Sequence, residues 1–420
     1  METYFKMSTN QINENIIKLN GGVSQVEGVK ASGVRKGKYG LALIYAPNST
    51  ASAVYTSNTI VAAPLSYTRE VLKDGKLSLI IANSGNANCF TGQQGILDCK
   101  TTVEEASQLL QLAPNQITTA STGVIGRQMP MEIIIPEIHE AVKKLDNTPE
   151  ASNNAAKAIM TTDTFEKEYA VEVTLENGKK VHIGGICKGV GMIAPNMATM
   201  LGFITTDAIV DRKHLQEALN NAVNKSFNMV IVDGDESTND TAILLATGKT
   251  KNSVIRYDGT IDKNFQEALN TVCVELAKMM ARDGEGASKF IQVQVDSANN
   301  EDDAIKAAKS VVGSSLVKSA MFGGDPNWGR IVAAVGYADI KMDPNNITIS
   351  IASDNDKVDL VKNGEILAFD GTVYLQKAEK IVQEENIYIL IELFQGEGSA
   401  TAYGCDLTYD YVKINAEYTT

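Results

Sequence analysis

K-G-V-G-M-I-A-P-N-M-A-T-M-L-G-F-I-T-T-D-A, running from Lys188 to Ala208, is the stretch on which the reading of this chain turns. Its first half mixes glycine, proline and asparagine with small apolar residues, and Leu201 to Thr205 is strand-like. From Gly189 to Thr206 no charge occurs over 18 residues, near the ~18-residue length expected of a membrane span. Three glycines, a proline, an asparagine and three threonines would leave backbone groups unpaired in lipid. The segment therefore reads as a buried loop leading into a strand.

Helical periodicity recurs between strand-like runs on either side. Leu215, Ala218, Leu219, Ala222 and Val223 follow the i, i+3, i+4, i+7 rule after a start at Asp211. Phe265, Leu269, Val272, Leu276 and Met280 predict another helix, ended by Asp283-Gly284, and Ala304 to Met321 a third. Strands are expected at Gly40–Tyr45, Ser78–Ala82, Tyr169–Leu175, Val181–Cys187, Leu201–Thr205, Met229–Val232, Phe290–Val295, Ile347–Ile351 and Ile387–Leu393. Asn177-Gly178 between two of them is a hairpin turn signal. The acidic run Asp296–Asp303 reads as a solvated helix start. The fold class is α/β, and 420 residues imply two or three domains.

Composition narrows the chemistry. Asp and Glu number 51 against 38 Lys and Arg, a net charge of −13, and no basic stripe offsets it, which argues against nucleic-acid binding. Only three histidines occur, His139, His182 and His214, none with ligand-spaced partners, so zincin and Ser-His-Asp chemistries are disfavoured. Five cysteines without a C-x-x-C pair, and an N-terminus without a secretory apolar region, predict a reduced, cytoplasmic protein. Asp233–Thr241 begins like a calcium loop but has Thr238 where glycine is needed and Leu244 where glutamate is needed. Phe322–Arg330 is glycine-rich but lacks the G-K-[ST] of a phosphate loop, and its Trp328 reads as packing.

Small-residue, threonine-rich segments remain: Asn83–Gly92, Ser121–Gly126, Met160–Thr164, Lys188–Leu201 and Ala281–Lys289. Singly each is an ordinary turn; together they predict a site of hydroxyls, amides, one lysine and one carboxylate. Within the opening stretch, Thr199 has two readings. One is a buried strand threonine bonded to backbone, which spacing alone favours. The other makes it the first residue of a cut chain, whose own α-amine, with pKa ~7.7–8.0, serves as base.

Lys188–Ala208 resembles the cleavage-site signature of the ornithine acetyltransferase (ArgJ) family. S-T-G-V-I-G (Ser121–Gly126), M-T-T-D-T (Met160–Thr164), A-R-D-G-E-G (Ala281–Gly286), S-A-M-F-G-G-D-P-N-W-G-R (Ser319–Arg330) and the tail Cys405–Thr420 resemble that family in the same order. The resemblance implies an ArgJ/DmpA-like self-processing α/β fold: sheets between helices, with a smaller C-terminal α/β domain. It implies a precursor cut between Ala198 and Thr199 into chains 1–198 and 199–420, with structural domains near 1–280 and 281–420. Thr199 then accepts acetyl from N2-acetyl-L-ornithine and passes it to L-glutamate in ping-pong fashion. The family's oxyanion hole maps onto Thr122 and Gly123, and its substrate contacts onto Thr162, Lys188, Thr199, Glu285, Asn415 and Thr420. By charge, Lys188 suits the substrate α-carboxylate and Glu285 an ornithine ammonium.

No metal or cofactor is implied. Some family members also use acetyl-CoA as a substrate, and that activity is carried as an expectation, as is an α2β2 assembly without membrane or nucleic-acid partners. Ser288 and Thr419 depart from the family's commoner threonine and arginine. The rivals are a self-processing aminopeptidase or amide hydrolase, and an uncut binding protein.

Overall fold

The computed structural model describes residues 13–193 and 200–417. The predicted cleavage pair Ala198 and Thr199, and the terminal Thr419 and Thr420, lie outside the described residues. The chain divides into two compact units. One comprises residues up to Asn228 with Asp235–Leu276; the other comprises Met229–Gly234 and the described residues from Ala277 onward.

The first unit opens with β1 (Ile16–Leu19), β2 (Lys30–Lys36), β3 (Tyr39–Tyr55), α1 (Ala63–Val71), β4 (Lys76–Asn86), α2 (Gly92–Leu110) and β5 (Ile117–Val124). There follow α3 (Met131–Lys143), α4 (Pro149–Ala158), β6 (Lys167–Thr174), β7 (Lys180–Lys188), β8 (Leu201–Thr206) and α5 (Arg212–Lys225). After β9 (Val230–Ile231), which belongs to the second unit, come β10 (Thr241–Ala246) and α6 (Lys263–Arg282). Among the described residues the strands of this unit form one nine-stranded mixed sheet, ordered β1-β6-β7-β8-β10-β3-β4-β5 with β2 paired to β3.

Alternation in β3 and β4 sets both faces of that sheet. Leu41, Leu43, Leu79 and Ile81 pack with Val103, Ala106, Ile134 and Ile138 of α2 and α3. The intervening Ala42, Ile44, Ile80 and Ala82 pack with Ala155, Ala156 and Ile159 in and after α4. Each fully buried Leu or Ile contributes about 1.5–3 kcal/mol. The 17-residue β3 changes register between Tyr45 and Ser49, where Asn48 takes a positive φ of 57°. This bulge lets its first half pair with β2 and β4 and its second half with β10. The Asn177-Gly178 turn joins β6 to β7 as expected, and the Asp211 side chain caps α5 by accepting the His214 N–H.

The second unit contains β9, β11 (Phe290–Ala298), α7 (Glu301–Gly313), α8 (Ser315–Phe322), α9 (Trp328–Gly336), β12 (Thr348–Ala352) and β13 (Lys357–Lys362). It ends with β14 (Glu365–Ile366), α10 (Val373–Ile381), β15 (Asn386–Glu392), β16 (Gly398–Cys405) and α11 (Tyr409–Glu417). Its sheet runs β14-β13-β12-β15-β11-β16-β9. The helix expected over Ala304–Met321 is two helices: Ser314 leaves helical geometry and its hydroxyl accepts the Val317 N–H at 3.3 Å, starting α8. The strand expected at Met229–Val232 shrinks to Val230–Ile231, because Phe227–Met229 tightens into a 3₁₀ turn. The acidic run feeds α7, whose Asn300 cap precedes Glu301, Asp302 and Asp303. Trp328 starts α9 and donates its Nε1–H to the Ala368 carbonyl at 2.8 Å.

The described helices include none long and apolar enough to cross a membrane. All five cysteines are free and buried.

The three imidazoles join elements together. His139 on α3 meets Glu105 on α2 at 2.6 Å, and His214 bridges Asp211 to the Gly259 carbonyl. His182 on β7 lies 2.6 Å from Asp207 and 3.5 Å from Glu172. The Asp207 hydrogen bond raises the His182 pKa despite opposing desolvation. A raised folded-state pKa gives stability that is complete below the unfolded value of about 6.5 and fades as pH rises through the folded value. Denaturant unfolding between pH 5 and 9 should therefore show stability falling above about pH 6.5, and His182→Gln should flatten that slope.

Candidate active site

In the first unit, the ends of several strands bring the predicted residues together. β7 ends at Lys188, which stands opposite Leu201 at the start of β8. β8 runs parallel to β10, with Leu201 opposite Thr241. One residue earlier on each strand, the Met200 N–H donates to Asp240 Oδ1 at 2.9 Å, and the Thr241 N–H donates to the Met200 carbonyl at 3.1 Å. The preceding Asn239 donates from Nδ2 to the carbonyls of Ala87 and Ser121, at 2.6 and 2.8 Å. Asn239 thereby fastens the start of β10 to the end of β5, where Thr122 and Gly123 sit.

Gly123 could be no other residue. Its φ is +131°, and a Cβ there would lie 2.5 Å from the Asn86 nitrogen and the Gly85 carbonyl carbon. Thr122 beside it is buried, and the Lys188 ammonium donates to its hydroxyl at 3.4 Å. The two residues expected to hold an oxyanion and the lysine expected to hold a carboxylate therefore form one cluster.

Lys188 is 2% exposed and Lys167 0%. Ammonium groups at such depth require a partner. Asp163 is a partner of both: its carboxylate lies 2.8 Å from the Lys167 Nζ and 4.0 Å from the Lys188 Nζ. It also accepts the backbone N–H groups of Thr161 and Gly189, each at 3.0 Å. Burial alone would raise the Asp163 pKa, but Lys188, Lys167 and these hydrogen bonds outweigh it and hold the carboxyl at about 2. Thr162, half-buried, sits between Thr161 and Asp163 on this loop. Asp240 is the contrary case: burial pushes its pKa well up, while the Met200 N–H and the Lys188 charge pull it only partly back.

Glu285 and Asn415 belong to the second unit, where the Asn415 Nδ2 donates to Glu285 Oε2 at 2.9 Å. The loop carrying Glu285 is strapped to the chain before α11. Asp406 accepts the N–H groups of Ser288 and Lys289 at 2.9 and 3.0 Å and also the Ser288 hydroxyl. The Thr408 hydroxyl donates to the Gly286 carbonyl at 2.6 Å. Serine at 288 thus retains the hydroxyl that a threonine would offer to Asp406. Ala198, Thr199 and Thr420 fall outside the described residues.

Sequence reasoning missed Asp163, Lys167, Asn239 and Asp240. Asp163 stood within the quoted M-T-T-D-T segment, and Asn239 and Asp240 within the segment set aside as a calcium loop.

These observations define an α/β protein with a buried polar cluster of hydroxyls, glycine backbone, two lysines and two carboxyls. A family model, the ArgJ family, matches residues 25–420. The glutamate N-acetyltransferase of Methanothermobacter thermautotrophicus is 54% identical over 96% of this chain and 98% of its own. That of Methanocaldococcus jannaschii is 49% identical over 96% and 99%. Among solved structures, the arginine biosynthesis bifunctional protein ArgJ of Bacillus halodurans shares 42% identity at a TM-score of 0.48, over 51% of this chain and 98% of that one. The chain belongs to the ArgJ family.

Removing the anion shared by two buried lysines leaves uncompensated charge, which typically costs about 3–5 kcal/mol. Asp163→Asn should lose stability on that scale in urea unfolding at pH 7. Because its folded pKa is depressed, Asp163 supplies stability above the unfolded value near 3.8 that is lost as pH falls toward about 2. The variant should lack that part of the acid limb.

Proposed function

We propose that this protein transfers the acetyl group of N2-acetyl-L-ornithine to L-glutamate, through an acetyl ester on Thr199 exposed by self-cleavage after Ala198. The observation that carries the reading is the Lys188 ammonium, buried against the Thr122 hydroxyl beside Gly123. Both substrates present an α-carboxylate, which a desolvated ammonium binds strongly. A hydroxyl and a glycine N–H next to it suit the oxyanion of acyl transfer. Family membership and relatives named glutamate N-acetyltransferase at about half identity support the same reaction.

In this mechanism the Thr199 hydroxyl attacks the Ala198 carbonyl, an N-to-O shift gives an ester, and water releases two chains. The new α-amine then accepts the hydroxyl proton when Thr199 attacks the acetyl carbonyl. Thr122 and Gly123 stabilise the tetrahedral oxyanion. Ornithine leaves and the glutamate amine takes the acetyl. Lys188 binds the α-carboxylate, and Glu285 binds an ammonium of ornithine. Thr162, Asn415 and Thr420 complete the substrate contacts. Acetyl-CoA serves as a second donor, no cofactor takes part, and the processed chains assemble as α2β2 in the cytoplasm.

Denaturing electrophoresis should resolve fragments of about 21 and 24 kDa, apportioning 45.1 kDa over 198 and 222 residues. The heavier should begin Thr-Met-Leu. A single uncut band from active protein would contradict the mechanism. Thr199→Ala should abolish both cutting and transfer. Thr122→Ala should lower kcat by ~10²–10³, the usual loss of one oxyanion donor. Release of ornithine from acetylornithine should depend on added glutamate; equal release into water alone would identify a hydrolase instead.

A further inference from the structure

We infer that Asp406 is a positioning residue: by holding the loop that presents Glu285, it makes the site select an acyl donor bearing a side-chain ammonium. The inference deepens the role proposed above for Glu285 and rests on it.

Glu285 stands between two glycines, and both lie against the segment from Cys405 to Tyr411 in the same unit. A Cβ on Gly284 would come within 2.5 Å of Cys405 Sγ, and one on Gly286 within 2.6 Å of the Tyr411 nitrogen. Gly286 also has a φ of +70°, where a side chain is strained. Two glycines restrain a backbone little, so the hydrogen bonds around them set the course of the loop. Asp406, 3% exposed, supplies three of these bonds. One carboxylate oxygen accepts the N–H groups of both Ser288 and Lys289, and the other accepts the Ser288 hydroxyl. The Asp406 N–H in turn donates to the Lys289 carbonyl at 3.2 Å. Hydrogen bonds to a carboxylate are roughly twice as strong as neutral ones. Asp406 is itself pinned from α8: the buried Lys318 donates from Nζ to the Cys405 carbonyl at 2.6 Å, and its own carbonyl accepts the Leu407 N–H at 3.3 Å. The same segment starts α11, where the Thr408 hydroxyl accepts the Tyr411 N–H at 3.4 Å and Asn415, one turn on, reaches Glu285.

The charge on the donor gives this positioning its purpose. In N2-acetyl-L-ornithine the α-nitrogen is acylated, so the side-chain ammonium is the one cation the molecule carries. A carboxylate held where it meets that ammonium favours this donor over an uncharged one of the same length. A carboxylate on a loosened loop forfeits the preference. The preference between donors, rather than the rate with any one of them, is the quantity Asp406 governs.

The test compares N2-acetyl-L-ornithine with N2-acetyl-L-norvaline, which has the same carbon chain without the ammonium. With glutamate as acceptor, kcat/KM for each donor is measured in the wild-type full chain and in Glu285→Gln, Asp406→Ala and Asp406→Asn, while circular dichroism monitors the fold. Wild type should prefer acetylornithine. Glu285→Gln and Asp406→Ala should each lower that preference by about tenfold or more, the scale of one charge-assisted hydrogen bond. Asp406→Asn keeps an oxygen for the two N–H groups and should recover most of the preference. A general loss of packing would slow both donors alike and leave the ratio intact. A folded Asp406→Ala chain with the wild-type preference, beside a Glu285→Gln chain that has lost it, overturns the inference while the Glu285 role stands. An Asp406→Asn chain no better than Asp406→Ala also overturns it, because the effect is then one of charge and not of position. A wild type inactive with acetylornithine or indifferent to the two donors, or a Glu285→Gln chain that keeps the preference, overturns the Glu285 role and the inference together. Should Asp406→Ala fail to fold, Ser288→Ala decides, since it takes one donor from the same carboxylate. A preference lowered by about threefold or more then supports the inference, and a smaller change overturns it.

Discussion

The carboxylate of Asp163 is the constraint on which the site in the first unit depends. It accepts hydrogen bonds from Lys167 on β6 and from the backbone of Thr161 and Gly189, and it faces the Lys188 ammonium at the end of β7. One side chain thus fixes the loop after α4, the first residue of β6 and the exit of β7. Burying an ion without its counter-charge costs several kcal/mol, so each of these segments gains from the shared carboxylate. Lys167 is fully buried. It helps hold Asp163 ionised so that Asp163 can hold Lys188.

Sheet topology turns that local anchor into a site. Because β8 and β10 are parallel neighbours, the residues just before each strand, Met200 and Asp240, fall side by side and bond across. Antiparallel pairing of β7 with β8 brings Lys188 to the same end. The bulged β3 then allows β10 on one side and β4 with β5 on the other to belong to one curved sheet. Asn239 closes the circuit by bonding the carbonyls of Ala87 and Ser121. Parallel strands leave their unpaired backbone ends on the same edge, so glycine-rich and hydroxyl-rich residues accumulate there.

Much of this was legible in the sequence, and the remainder fails for identifiable reasons. Strand-like runs and the Asn177-Gly178 turn located β4, β6, β7, β8 and the first part of β3 but not β1, β2, β5 or β10, and the 3.6-residue period located α5 and α6. In Ala304–Met321 the signal was Gly313-Ser314-Ser315, a helix stop followed by a cap, hidden between two stretches of continuous apolar spacing. β5 (I-T-T-A-S-T-G-V) is buried along nearly its whole length although half of it is hydroxyl-bearing; hydroxyls buried within a strand look like a polar loop to any periodicity. Thr122, Gly123 and Lys188 were named through their resemblance to a family, because spacing alone could not bring residue 122 to residue 188. Asp163 and Asp240 were on the page as letters, but their meaning lies in burial, and burial of a carboxylate is decided by distant partners.

Charge balance is what separates this cluster from an ordinary buried ion network. Lys167 and Lys188 bring two positive charges; Asp163 returns one negative charge, and burial drives Asp240 toward neutrality. Of these four groups Asp163 is the ionised carboxylate that faces both ammoniums, in a region with almost no exposed surface. A fold selected for stability alone would replace such ions with apolar residues of similar volume, which is often neutral or favourable. Retaining two buried ammoniums therefore calls for a reason other than folding free energy. In the reaction proposed above, a substrate α-carboxylate would meet the Lys188 ammonium, and a tetrahedral oxyanion at Thr122 and Gly123 would lie within the field of the same charge. Binding and barrier lowering would then draw on one buried ammonium, which is how the proposed reaction dispenses with imidazole.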